Sequence, residues 1–129
     1  MSGYSTPLRR ARGLGSAKRG VGHFIGQRVS AVALLLLSPW AVWSAIVLAR
    51  TDFAGARAWL ARPVDATLLV LLAFAGLYHG RLGLQVIIED YFGGLGRTGL
   101  LILNTFVALG AAALIAISIL RVSLGVGTV

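Results

Sequence analysis

One histidine of this chain lies inside a long apolar segment. His79 is near the middle of residues 66–89, a run long enough to cross a membrane, where an ionisable side chain is costly and is a candidate functional residue. A helix turns by about 100° per residue, so Gly76 and Gly83 share the face of His79, one turn to either side. Small residues around an imidazole leave room for a flat, bulky group, such as a porphyrin whose iron the imidazole binds.

A second interpretation of the same glycines stays open. Gly76-x-x-x-Gly80 is also a small-xxx-small pattern, which lets another helix pack closely, with His79 bonded across the contact. A six-coordinate haem would need a second ligand in any case. His23, the only other histidine, precedes the first apolar span and is expected to lie too near the surface to reach His79. The second ligand would therefore come from another chain.

A carboxylate and a phenol follow at the end of the same segment. Asp90 is eleven residues from His79, about 16 Å along a helix and on nearly the same face, and Tyr91 is beside it. A phenol at a membrane boundary can donate a hydrogen bond to a quinone carbonyl, and a neighbouring carboxylate can relay protons. The alternative is an interfacial anchor, since tyrosine is common at that depth.

Two arginines are placed near these groups. Arg81 is about 200° around the helix from His79, and Glu89, two turns on, is its predicted partner. Arg28 comes just before the first apolar span. It is a candidate for binding a lipid phosphate or a propionate of a buried cofactor.

The elements that must position these residues are transmembrane helices. Of 129 residues, 57% are hydrophobic and only 12% charged, with a mean hydropathy of +0.86, which excludes an ordinary soluble domain. The chain has no cysteine and hence no disulfide, zinc-thiolate or iron–sulfur ligand set. A basic segment (1–28) precedes a three-helix domain (29–124) with spans at 29–49, 66–89 and 99–120, and residues 125–129 form a tail.

Smaller features divide these spans. Pro39 predicts a kink near the middle of the first helix. Residues 53–60 contain Trp59 and are predicted to form a short interfacial helix, because tryptophan favours the headgroup level. The glycine-rich segment 89–98 predicts a tight turn between the second and third spans.

The net charge of +8 flanks the spans, which favours lipid contact and an orientation signal over nucleic-acid binding. Seven basic residues fall in the N-terminal segment and the second loop, and four in the first loop and the tail. The N-terminus is therefore predicted on the cytoplasmic or matrix side. The seven are Arg9, Arg10, Arg12, Lys18, Arg19, Arg28 and Arg97, and the four are Arg50, Arg57, Arg62 and Arg121.

Three motifs together resemble a known family. The spacing His-(x)10-Asp-Tyr from His79 to Tyr91, the run from His23 through Gln27-Arg28-Val29-Ser30, and the lead-in Gly13-Leu14-Gly15-Ser16-Ala17 are similar to the hydrophobic membrane anchor subunit of succinate dehydrogenase, as found in α-proteobacteria and mitochondria. The likeness extends over almost the whole chain. It implies an all-α membrane protein whose three transmembrane helices form half of a six-helix haem b and quinone anchor domain.

The resemblance also implies roles for single residues. His79 would be one axial ligand of haem b, with Gly76 and Gly83 on the haem face, and a companion cytochrome b subunit would give the other histidine. Tyr91 would hydrogen-bond ubiquinone and Asp90 would support that site. Arg28 would lie near the haem propionates, as would His23, whose counterpart in some relatives is offset by one residue. Arg81 has no role in the family that the resemblance assigns.

The resemblance further implies partners and a membrane. A flavoprotein and an iron–sulfur subunit would oxidise succinate and pass electrons to the anchor, in a bacterial inner or mitochondrial inner membrane. Two alternatives stay open: the anchor of a quinol:fumarate reductase, and a small non-enzymatic scaffold or transporter subunit in which His79 only packs.

Overall fold

The computed structural model describes residues 6–8 and 20–125, and within residues 20–125 it has four helices. They are α1 (Gly20–Leu48), α2 (Phe53–Leu60), α3 (Pro63–Tyr91) and α4 (Gly94–Ser123). The lead-in Gly13–Ala17 and basic residues 9–19 lie outside the described residues, as does most of the tail. This is an all-α membrane protein, because α1, α3 and α4 are each long and apolar enough to cross a bilayer.

All three long helices extend beyond the predicted spans. Each predicted span covers the apolar stretch alone, whereas backbone hydrogen bonding continues through the polar residues at its ends. Only Ala49 departs the other way, since it follows the end of α1 in a turn. The helix α1 runs through Pro39 without a break.

The connection between α1 and α3 is the predicted short helix, α2, with the predicted bounds. The Asp52 side chain caps it by accepting a 2.8 Å hydrogen bond from the backbone N–H of Gly55. Trp59 stacks on Trp40 of α1, with ring centroids 6.0 Å apart. The first turn of α3 then begins at Pro63, and a 2.8 Å salt bridge joins Arg62 to Asp65.

The connection between α3 and α4 is shorter than predicted. The expected tight turn is present, but its predicted bounds of 89–98 are too wide, because α3 continues to Tyr91 and α4 begins at Gly94. Gly94 has a φ of +59°, a left-handed conformation that favours glycine, so the chain reverses within two linking residues. This tight reversal places α4 antiparallel to α3 along its whole length.

The middle helix of the assembly is α3, which packs against α1 on one side and α4 on the other. Among described residues only four hydrophobic side chains are buried: Ala66, Leu82, Ile88 and Ile119. The long helices therefore turn most of their apolar surface outward.

Candidate functional site

His79 faces α1 and contacts it through a hydroxyl. The Ser30 Oγ lies 3.1 Å from the His79 Nδ1, and Ser30 is only 5% exposed. One turn earlier on α1, a Cβ added at Gly26 would lie 2.5 Å from the Tyr78 hydroxyl oxygen, so the end of the Tyr78 side chain packs directly against the α1 backbone here. The missing side chain at Gly26 leaves the room that the Tyr78 phenol occupies.

A cavity of about 340 Å³ opens at the α1 side of His79. Phe24, Gln27, Arg28 and Ala31 of α1 line it together with His79. The Arg28 guanidinium carbon lies 5.1 Å from the centre of the Phe24 ring. The fold thus brings an imidazole and a fixed positive charge, distant in sequence, to one cavity.

The two glycines on the His79 face have different surroundings. A Cβ at Gly83 would meet nothing within 4 Å, whereas one at Gly76 would meet the Leu34 side chain of α1 at 3.9 Å. Gly80 also faces open space, so within this chain the Gly76-x-x-x-Gly80 pattern brings α1 close only at Gly76. Open space beside the imidazole is therefore found on the Gly83 side.

The residues present fit a haem with one ligand from this chain. The His79 Nε2 has no hydrogen-bond partner among the described residues, and Arg28 supplies a positive charge for a propionate. No cluster of three or more metal-binding side chains occurs in the described part of the chain. A second axial ligand would have to come from another chain, as the sequence predicts.

Asp90 and Tyr91 end α3, outside the His79 cavity. Both are exposed, Tyr91 at 82%, and neither has a hydrogen bond or ion pair within the described residues. Their exposure leaves them free to contact a partner subunit, a lipid headgroup or a quinone. Anchor and quinone donor remain alternatives at this position.

His23 lies two turns before Ser30 on α1. Its Nε2 is buried without a hydrogen-bond partner among the described residues, and it makes no hydrogen bond to His79 there. It does not line the cavity with Arg28.

The predicted pairing of Arg81 with Glu89 is wrong. The Arg81 Nε and Nη2 donate to the Thr105 Oγ1 at 3.3 and 3.2 Å. Glu89 lies about 12 Å further along the axis. It accepts a 2.9 Å hydrogen bond from the Gln85 side chain, and Arg97 lies 3.8 Å from the same oxygen.

A further hydrogen bond holds α4 at this level. The Asn104 Nδ2 donates to the backbone carbonyl of Arg81 at 3.0 Å. Arg81 therefore belongs to the α3–α4 contact, on the other side of the helix from His79.

Sequence reasoning missed Ser30 as a site residue. The signal was present, because Gly26-x-x-x-Ser30 is a small-xxx-small pattern on the helix that precedes the histidine by one span. The motif alone does not say which face of α3 it meets, and that pairing is a tertiary contact.

Comparisons with known proteins identify related chains. Residues 2–118 match the model of the succinate dehydrogenase/fumarate reductase transmembrane subunit family. The succinate dehydrogenase hydrophobic membrane anchor subunit of Paracoccus denitrificans is 34% identical, over 95% of each chain. That of Rickettsia bellii is 34% identical over 68% of this chain and 70% of the relative. No solved structure matches significantly. The chain belongs to the family of succinate dehydrogenase/fumarate reductase transmembrane subunits.

Proposed function

We propose that this chain is the membrane anchor subunit of a succinate:ubiquinone oxidoreductase, which co-ligates haem b and contributes to the site of ubiquinone reduction. The observation that carries the proposal is the cavity that joins His79 of α3 to Arg28 of α1. An imidazole with an unengaged nitrogen and a nearby cation is what a haem with ionised propionates requires. Family membership and the similar membrane anchor subunit of Paracoccus denitrificans support the anchor role.

His79 would hold the haem through Nε2, with the second histidine given by the companion cytochrome b subunit. Arg28 would neutralise a propionate, and His23 would be a neighbour of that end. Gly83 would leave room for the ring, and Gly76 would keep α1 close on the other side of the imidazole. When bound, a haem with two histidine ligands supplies one-electron transfer.

Tyr91 and Asp90 would act on the quinone. As ubiquinone takes up two electrons and two protons, negative charge builds on its carbonyl oxygens. The Tyr91 hydroxyl would donate a hydrogen bond to one of them, and this bond strengthens as the charge grows. Asp90, exposed beside it, would pass protons from the aqueous side.

The proposal includes partners and placement. A flavoprotein and an iron–sulfur subunit would oxidise succinate, and the cytochrome b subunit would complete a six-helix domain in a bacterial or mitochondrial inner membrane. The charge distribution supports an N-terminus on the cytoplasmic or matrix side.

The test is purification of the native complex through a tag on this chain. We expect a flavoprotein, an iron–sulfur subunit and a cytochrome b subunit to co-purify, with a low-spin haem b spectrum. His79→Ala should convert that spectrum to high spin or abolish it, because one axial imidazole is lost. An unchanged bis-histidine spectrum in this variant would overturn the haem assignment.

Two other outcomes would replace the proposal. Faster quinol:fumarate than succinate:quinone turnover would identify a fumarate reductase anchor, which the matched family includes. A complex without haem or redox subunits would identify a scaffold in which His79 only packs.

A further inference from the structure

We propose that Ser30 is a positioning residue that sets the tautomer of His79, so that Nδ1 carries the proton and the Nε2 lone pair is free to bind iron. Ser30 is on α1, whereas His79, the proposed haem ligand, is on α3. Its functional meaning rests on the proposed role of His79 as a haem ligand, whereas the tautomer can be measured without haem.

Two short contacts of one hydroxyl carry the inference. The Ser30 Oγ lies 3.0 Å from the backbone carbonyl oxygen of Gln27 and 3.1 Å from the His79 Nδ1. A carbonyl oxygen can only accept, and a serine hydroxyl has a single proton to donate. The hydroxyl therefore donates to Gln27, and its oxygen accepts from a protonated Nδ1.

The opposite tautomer leaves one contact unfavourable. If Nδ1 carried no proton, the hydroxyl would have to donate to it, and the Ser30 oxygen would face the Gln27 oxygen at 3.0 Å with no proton between them. Ser30 is 5% exposed, so water has little access to relieve that repulsion. Of the two neutral tautomers, only Nδ1–H lets both contacts be hydrogen bonds.

This chain of hydrogen bonds also fixes the ring. Histidines that bind metals commonly donate their second ring N–H to an acceptor, which orients the imidazole and raises its basicity. Here the acceptor is a hydroxyl whose own proton is held by the backbone of α1. The rotation of α3 relative to α1 thus decides which imidazole nitrogen can face the cofactor.

The first experiment measures the tautomer in the full chain without haem. The chain has two histidines, so ¹⁵N-histidine labelling in lipid bilayers gives two imidazole spectra, and His23→Gln assigns them. We expect a protonated Nδ1 and an unprotonated Nε2 for His79. Ser30→Ala should shift His79 towards the Nε2–H tautomer, and Ser30→Thr, which keeps the hydroxyl, should restore the wild-type spectrum.

Ser38→Ala is the matched control. Ser38 is on the same helix and bonds a backbone carbonyl in the same way, at 2.6 Å to Leu34, but it is exposed and does not touch His79. It should leave the His79 spectrum unchanged. A wild-type Nε2–H tautomer, or equal spectra for Ser30→Ala and Ser38→Ala, would overturn the inference.

The second experiment measures the consequence in the assembled complex. Ser30→Ala should change the low-spin electron paramagnetic resonance signal, move the haem potential in the positive direction and weaken haem retention by about tenfold, the lower end for loss of such an acceptor. Ser30→Thr should reverse these changes. Wild-type haem properties in Ser30→Ala would reject the positioning role. If the wild-type complex contains no haem bound by His79 but His79 has the Nδ1–H tautomer, the proposed function is rejected and the Ser30 inference is not.

Discussion

At the scale of single residues, two polar side chains deep in α3 bond to hydroxyls on neighbouring helices. His79 meets Ser30 of α1, and Arg81 meets Thr105 of α4. Unpaired polar groups are costly in hydrocarbon, so such contacts are expected to stabilise the rotation of α3. The helix α3 can then hold an imidazole on the face towards α1 and a guanidinium on the face towards α4.

The residue-scale prediction concerns Tyr91. Tyr91→Phe keeps the ring but deletes the donor, so the ratio of quinone-linked to artificial-acceptor succinate oxidation should fall about tenfold. Where such a donor is fully shielded from water the loss is roughly 100-fold or more, but Tyr91 is 82% exposed in this chain. The assay requires assembled complex with normal haem content.

Tyr78→Phe is the control for loss of a phenol. Tyr78 is on the same helix, and its hydroxyl makes no hydrogen bond within the described residues. The activity ratio should not change in this variant. A wild-type ratio in Tyr91→Phe as well would show that Tyr91 is an interfacial anchor.

At the scale of elements, α3 has a face with open space beside His79. Gly83→Leu should lower haem occupancy, because a large side chain would fill the space that the ring needs, whereas Gly83→Ala should have a smaller effect. Haem per complex is measured by the pyridine haemochromogen spectrum. Gly110→Leu, which also meets open space but on α4, is the control. Full haem content in Gly83→Leu would place the cofactor on another face.

The contact between α3 and α4 gives a stability prediction. Thr105→Val removes the acceptor of Arg81 and should lower the free energy of unfolding by about 1 kcal/mol, within the range for polar contacts between membrane helices. In an Arg81→Met background the same substitution should cost much less. A double-mutant cycle in detergent measures this coupling.

Glu89→Gln tests the partner that the sequence predicts for Arg81. Its effect should add to that of Arg81→Met, because the two side chains do not bond. Strong coupling of Arg81 to Glu89, with none to Thr105, would contradict the observed pairing.

At the scale of the whole molecule, the outward-facing apolar surface needs lipid or partner helices to cover it. Large exposed side chains occur on α1, α3 and α4, including Leu36, Ile87 and Phe106. For a membrane chain this is expected, since lipid solvates apolar side chains. The Gly83 side of α3, where an added Cβ would meet nothing within 4 Å, is where the proposed haem and companion subunit would lie.

The orientation of the whole chain can be tested with single cysteines, since the protein has none of its own. Ala61→Cys, after α2, and Gly93→Cys, between α3 and α4, are both at exposed positions. Because the membrane-spanning helix α3 separates them, they are expected on opposite sides of the membrane. With the N-terminus inside, a membrane-impermeant maleimide added to intact cells should label the first and not the second. The reverse pattern would invert the topology.

Much of the candidate site can be predicted from the sequence, because it depends on residue type and on the spacing of residues along one helix. Depth in the membrane follows from position within an apolar span, so His79 stands out without a structure. The prediction for Arg81 is wrong because its partner is on another helix, and spacing within one helix does not show which residues of other helices it meets. Spacing along the helix predicts Glu89, two turns away, as the partner of Arg81, whereas the partner is the Thr105 hydroxyl on α4.

By itself, the sequence determined the three long helices, the short helix α2 and the separate faces of α3. Transfer into hydrocarbon depends on local composition, and a backbone without water must satisfy its own hydrogen bonds. Only the tertiary structure decided that Ser30 meets His79, that Arg28 shares its cavity and that Arg81 bonds to α4. Those contacts depend on how each helix is rotated against its neighbour, which is set by close packing between elements and not by periodicity within one.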